Sequence, residues 1–284
     1  MNDTVIAIVG AGVMGTGIAT LVVGHGVPAV LVDIDAAALR RAELAVASGL
    51  RHAQLAGASP AARVPAALHT TLSLHDIADA TAVIETVTEL PEQKADVLTN
   101  ISALVRPGTP LISNTSGIPI DELAAWVRRP GDLIGTHFMN PAYLIAMVEV
   151  IRGPRTSEKT VESVLSLLTR LGRRTVVVRD APGFVTSRLL HPMINDAARV
   201  VSAGTAGVEE VDTLMQGCLG HPTGPLRTAD LIGIDNLVDS LQALHVRTGD
   251  ERCRPDELLL DKVRRGELGR KSGRGFYFYR EVPA

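Results

Sequence analysis

The stretch TVIAIVGAGVMGTGIATLVVGHGVPAVLVD, running from Thr4 to Asp33, decides the fold. Thr4–Val9 is a run of apolar and β-branched residues without a break, the pattern of a parallel strand buried on both faces. Gly10-Ala-Gly12-Val-Met-Gly15 follows at once, residues 17–23 read as an apolar helix, and Ala29–Val32 reads as a second strand ending at Asp33. Each part has a physical task at a dinucleotide site. Gly10 permits a tight turn, Gly12 lets the backbone approach a pyrophosphate, and Gly15 lets the helix pack closely on the strand. The helix N-terminus then presents unpaired N–H groups and its positive dipole end to the phosphates, and Val13 and Met14 within the glycine turn are candidate cofactor contacts. Asp33 is placed to accept hydrogen bonds from the adenine ribose hydroxyls. Its charge repels a 2′-phosphate, and Ile34 beside it offers no arginine, so the pattern selects NAD over NADP. FAD shares the glycine fingerprint, but no second flavin signature is visible.

Residues 4–32 contain no Asp, Glu, Lys or Arg, a length that spans a bilayer. Six glycines, His25 and Pro28 interrupt the run and no basic residue precedes it, so it reads as neither a membrane helix nor a signal peptide. The rest of the composition agrees. The chain has 284 residues, 46% hydrophobic and 21% charged, with a net charge of −3. That is ordinary for a packed protein of two domains, and without the basic face a nucleic-acid binder needs. Cys218 and Cys253 form no CxxC and no metal-ligand spacing, which fits reduced thiols in a cytoplasmic protein with no metal. Of the 28 basic residues only Lys94, Lys159, Lys262 and Lys271 are lysines.

Strand and helix signals alternate through the first 180 residues. Strands are predicted at 82–85, 110–113, 133–135, 148–151 and 175–178, and helices at 91–104 and 157–170. Residues 36–63 predict an amphipathic helix or helix pair. After Asp180-Ala-Pro-Gly183 the strand signals stop. The expectation is therefore an α/β protein: a Rossmann-type dinucleotide-binding domain over residues 1–182, followed by a smaller all-helical domain over 183–284.

Strand ends in such a sheet face the cofactor. Ser113-Asn114-Thr115-Ser116 closes one strand with four polar residues, and His137-Phe-Met-Asn140-Pro closes another. Glu149 sits inside the apolar strand Val148-Glu-Val-Ile, where an unpaired carboxylate would cost several kcal/mol, so it needs a partner.

These motifs carry a resemblance. From end to end the chain resembles the L-3-hydroxyacyl-CoA dehydrogenases, including the bacterial 3-hydroxybutyryl-CoA dehydrogenases. The matching elements are the GxGxxG turn, Ser113–Ser116, the H-F-x-N-P segment followed by V-E-V, Asp180-Ala-Pro-Gly-Phe-Val185, Gly220-His-Pro-Thr-Gly-Pro225 and Gly269-Arg-Lys-Ser-Gly-Arg-Gly-Phe-Tyr277. The resemblance implies an NAD-dependent oxidation of the 3-hydroxyl of an acyl thioester. His137 would be the general base, with Glu149 holding its other ring nitrogen. Ser116 would bond the substrate oxygen, and Asn140 would lie beside substrate and nicotinamide, so both also count as cofactor contacts. Glu89 and Lys94 would contact the NAD ribose, and Lys271 would reach the cofactor region. The helical domain would complete the substrate cleft and form a homodimer.

Three features depart from the family pattern. Ser187 stands where an asparagine usually fixes the substrate carbonyl. Ala146 replaces a lysine or similar polar residue. Gly49 and Ala56 stand where animal relatives hold the CoA phosphates with a serine and a lysine, and residues 36–60 retain only Arg40, Arg41 and Arg51. This thin basic grip suggests an acyl carrier protein in place of CoA as the thioester carrier, as in enzymes that oxidise glyceryl-carrier protein toward hydroxymalonyl or methoxymalonyl polyketide extender units. A gulonate-like free hydroxy acid dehydrogenase and a non-catalytic NAD-binding protein are the remaining alternatives.

Overall fold

The computed structural model describes residues 4–58 and 64–279. The chain divides into two compact units, Met1–Ala181 and Pro182–Ala284. In the first, β1 (Ile6–Val9) turns through the glycines into α1 (Val13–Gly24), which returns to β2 (Ala29–Val32). Helix α2 (Ala36–Leu55), β3 (Leu68–Thr71), β4 (Ala82–Glu85), α3 (Pro91–Leu104), β5 (Leu111–Ser113), α4 (Ile120–Leu123), β6 (Leu133–Phe138), β7 (Met147–Arg152), α5 (Glu158–Arg170) and β8 (Arg174–Arg179) follow. They form one eight-stranded sheet in the order β3-β2-β1-β4-β5-β6-β7-β8. All neighbours run parallel except β6 and β7.

The order reverses at β1, which lies between β2 and β4. In open α/β sheets a ligand binds at such a point, outside the carboxyl ends of the strands. The glycine turn, Glu85, Ser113 and His137 all lie at those ends. The core beneath is made of Ile6, Ile8, Leu31, Ile84, Ile112 and Ile134 from the sheet, and Ile18, Leu21 and Val22 from α1, each at most 1% exposed.

The predicted strands at 82–85, 110–113, 133–135, 148–151 and 175–178 all appear, within one to three residues at their ends. Strand β3 was not predicted. Its sequence, Leu-His-Thr-Thr, lies at the sheet edge and is half-exposed, so it carries no apolar pattern. Helix α2 is a single helix capped by Asp35, whose side chain accepts from Ala37 N at 2.8 Å. The part of the predicted helix at 59–63 lies outside the described residues.

The second unit holds α6 (Thr186–Ser202), α7 (Val208–Leu219), α8 (Pro225–Ile232), α9 (Ile234–Thr248) and α10 (Glu257–Arg264), packed around Ile194, Leu226, Leu237, Leu241 and Leu259. Its C-terminal segment is tied down by Asp230, a carboxylate only 1% exposed. Asp230 accepts from Phe276 N at 2.8 Å, Tyr277 N at 2.9 Å and the Tyr279 hydroxyl at 3.0 Å. Burial pushes the Asp230 carboxyl up, and burial beside that charge pushes the Tyr279 phenol up to about 12. The terminal Gly-Phe-Tyr motif is therefore a structural anchor.

A Cβ added at Gly15 would lie 1.8 Å from Gly10 O, whereas one at Gly12 would meet nothing within 4 Å. Gly15→Ala is expected to lose about 2–4 kcal/mol in thermal or denaturant unfolding. Gly12→Ala is expected to stay within about 1 kcal/mol of the parent.

Candidate active site

At the glycine turn, Gly10 adopts φ +106°, and Thr86 after β4 donates through Oγ1 to Val9 O at 3.0 Å and Gly10 O at 2.9 Å. Asp33 braces the turn from the other side, its Oδ2 accepting from Ala11 N at 2.6 Å and its Oδ1 from Asp35 N at 2.9 Å. A carboxylate has about four acceptor positions, so two remain for a ligand's hydroxyls. Helix α1 begins at Gly12 without a side-chain cap or an acidic residue in its first turn. Val13 and Met14 thus bring uncapped N–H groups to open space beside Gly12, an arrangement that fits a pyrophosphate.

At the end of β5 and just beyond it, Ser113 and Thr115 are buried, while Asn114 and Ser116 are half-buried. Ser113 donates to Glu85 Oε2 at 2.6 Å. Asn114 Oδ1 accepts from Phe138 N at 3.1 Å and so ties this end to the residue after His137. Glu89 closes the turn, its Oε1 accepting from Ser116 N at 3.0 Å, Gly117 N at 3.2 Å and the Thr115 hydroxyl.

Antiparallel pairing places His137 directly opposite Glu149. Residues opposite each other on neighbouring strands share a face. His137 Nδ1 lies 3.2 Å from Glu149 Oε2, with side chains 11% and 7% exposed. The turn between the strands carries a cis Asn140–Pro141 peptide and leaves Asn140 exposed. Beneath it lies Arg173, 7% exposed, whose guanidinium donates to Leu171 O at 3.1 Å, Ala142 O at 3.3 Å and Ile145 O at 2.9 Å. Burial lowers the Arg173 pKa, but a guanidinium keeps its charge at neutral pH.

Ser116, His137, Asn140 and Glu149 thus gather with the glycine turn and Asp33 at the carboxyl edge of one sheet. Lys94 lies behind that edge. It is fully buried, with its ammonium 2.7 Å from Glu85 and 3.2 Å from Glu89, so it is no surface lysine. Ser187 and Lys271 belong to the second unit. Ser187 is buried in the first turn of α6, and Lys271 pairs with Asp235 at 2.6 Å. Gly49 is buried on α2, and a Cβ there would meet Thr20 at 2.9 Å and the Tyr143 ring at 3.4 Å. No cluster of three or more His, Cys, Asp or Glu suited to a metal occurs among the described residues, and no described helix is long and apolar enough to cross a membrane.

Sequence reasoning missed Glu85 and Arg173. Glu85 carries the signal that singled out Glu149, an acid closing the apolar strand Ala82-Val-Ile. Arg173 has none, because in sequence it is one of two adjacent arginines between a helix and a strand.

The arrangement defines a dinucleotide-dependent enzyme with a paired histidine, and comparison with known proteins gives its class. Residues 5–181 match the model of the 3-hydroxyacyl-CoA dehydrogenase NAD binding domain, and residues 183–279 match that of the C-terminal domain. The chain is 40% identical over 274 residues to a probable 3-hydroxybutyryl-CoA dehydrogenase of Deinococcus radiodurans, covering 96% of this chain and 99% of that protein. It is 38% identical to a probable 3-hydroxybutyryl-CoA dehydrogenase of Bacillus subtilis, covering 97% of each. The crystal structure of M. tuberculosis FadB2 superposes with a TM-score of 0.91 at 35% identity, covering 97% of this chain and 98% of that one. The crystal structure of (S)-3-hydroxybutyryl-CoA dehydrogenase PaaH1 from Ralstonia eutropha gives 0.87 at 39% identity, covering 98% and 99%. The chain belongs to the 3-hydroxyacyl-CoA dehydrogenase family, as its motifs indicated, and its cofactor is NAD.

Replacing Arg173 with Met would leave three carbonyls without their shared donor. Arg173→Met is expected to cost about 2–3 kcal/mol of stability. It should also raise amide hydrogen exchange across residues 140–146 more than elsewhere in the sheet.

Proposed function

We propose that the protein oxidises the 3-hydroxyl of a short 3-hydroxyacyl-CoA, 3-hydroxybutyryl-CoA being the substrate its relatives' names indicate. The observation that carries this reading is the His137–Glu149 pair, 3.2 Å apart and buried at the carboxyl edge of the sheet. NAD supplies the hydride acceptor. Glu149 takes the Nδ1–H bond, which fixes the tautomer and stabilises the imidazolium once it forms. His137 Nε2 takes the proton of the 3-hydroxyl as the hydride leaves C3. The Ser116 hydroxyl and the Asn140 amide hold the substrate oxygen. The Val13 and Met14 N–H groups meet the pyrophosphate and Asp33 meets the adenine ribose. Glu89, with Lys94 behind it, meets the other ribose.

A second reading concerns the carrier. On α2, Gly49 has no side chain to offer a nucleotide phosphate, and a Cβ there would meet Thr20 at 2.9 Å. This favours an acyl carrier protein, whose pantetheine arm lacks the CoA nucleotide, with glyceryl-carrier protein as one candidate. A free hydroxy acid finds less support. The buried cations of the first unit, Lys94 and Arg173, are already held by carboxylates and carbonyls.

NADH formation followed by absorbance with matched CoA and carrier-protein substrates separates these readings. Turnover with 3-hydroxybutyryl-CoA and none with the carrier protein supports the first, and the reverse supports the second. In either case His137→Gln is expected to lower kcat by about 10²- to 10⁴-fold while NADH binding persists. Full turnover by that variant would remove His137 from the mechanism.

A further inference from the structure

We propose that Glu85 is a positioning residue, acting through Lys94 and Glu89 on the turn that carries Ser116. The inference rests on the dehydrogenase reading above, and it assigns a role to a carboxylate that reading does not use.

Glu85 ends β4 and is 1% exposed. A carboxylate so buried is tolerated only when its oxygens are bonded and its charge is met. Its Oε1 accepts from Lys94 Nζ at 2.7 Å and Val87 N at 2.8 Å, and its Oε2 accepts from Ser113 Oγ at 2.6 Å. Lys94 Nζ donates to Glu85 Oε1 and to Val87 O at 3.4 Å, and it forms an ion pair with Glu89 Oε2 at 3.2 Å. Lys94 is fully buried, so its charge is met by these groups and not by solvent.

Glu89 stands on the other side of Lys94, with its side chain 39% exposed. Its Oε2 faces the ammonium, while its Oε1 gathers Ser116 N, Gly117 N and the Thr115 hydroxyl. Two carboxylates share one ammonium, so the group carries a net negative charge, and the member nearest solvent is Glu89. The network holds Glu89 between Lys94 and the Ser116 turn and so keeps the Ser116 backbone at a set distance from β4. Lys94 and Glu89 therefore act as one unit, with Glu85 as its buried foundation.

Two readouts test this. In fluorescence titrations with NADH, Glu89→Gln and Lys94→Met are each expected to weaken binding about tenfold, and the double variant no more than about tenfold in all. A double variant weakened by the product of the two singles, about a hundredfold, would show that Lys94 contacts the cofactor independently, and would overturn the proposal. In hydrogen exchange without cofactor, Glu85→Gln is expected to speed exchange at the Ser116 and Gly117 amides at least severalfold and leave β1 and β2 unchanged. Unaltered exchange at those two amides would also overturn it. If Lys94→Met alone does not fold, Glu85→Gln/Lys94→Met removes both charges, keeps an amide oxygen as acceptor for Val87 N and turns an NH2 toward Ser113, whose hydroxyl can accept it. That variant should fold with the same weakened NADH affinity, and parental affinity in it would reject the network. Absence of NADH binding by the parent protein would instead reject the dehydrogenase reading, and the exchange readout would still decide the network.

Discussion

Helix α1 begins where it does because the backbones of Gly10 and Gly15 meet with no side chain between them. A Cβ on Gly15 would lie 1.8 Å from Gly10 O and 2.7 Å from Thr86 Oγ1. That close approach lets the helix start directly at the end of β1, with its uncapped N–H groups turned toward the sheet's carboxyl edge. Thr86 bonds both Val9 O and Gly10 O and so fastens the same turn to the strand on the far side of the switch point. Asp33 fastens it from β2. Three strands converge on one turn, and every other element of the first unit is placed relative to that junction.

The second constraint is the change of direction between β6 and β7. Parallel strands bring only their ends to the site, whereas an antiparallel neighbour brings a residue from mid-strand across to the same edge. Glu149 is such a residue. Its carboxylate is tolerable inside an apolar strand because the register sets it opposite His137. Arg173 supports the connection between these strands with bonds to two of its carbonyls, at Ala142 and Ile145, a way of using a buried cation without a buried anion.

Buried charge follows one rule throughout. Glu85, Lys94, Glu149, Arg173 and Asp230 are each at least nine-tenths buried, and each is held by specific donors or acceptors. An ionised group that is buried without partners is expensive enough to unfold a domain. Glu85 and Lys94 sit under the Ser116 turn, Arg173 under the Asn140 turn, and Asp230 under the C-terminal segment. In each case the charge fixes a stretch of irregular backbone that has no strand or helix to hold it.

Local chemistry determined much of this protein from sequence alone. The strand, glycine turn, helix and acid between Thr4 and Asp33 declared a parallel sheet and an NAD site, because only that combination satisfies both the packing and the phosphate. The family was legible for the same reason, as several motifs stand in order along the chain. Strand β3 was not legible, because an exposed edge strand needs no apolar alternation. The partners of buried charge were not legible either. The burial of Lys94 has no sequence signal, Glu85 reads only as the end of a strand, and Arg173 is one arginine among 24. Which of the four polar residues at 113–116 turn inward, and which cation lies under which turn, depend on contacts between residues 26 to 31 positions apart. Only the tertiary structure decides those, because a buried charge is settled by whatever the fold brings within bonding distance.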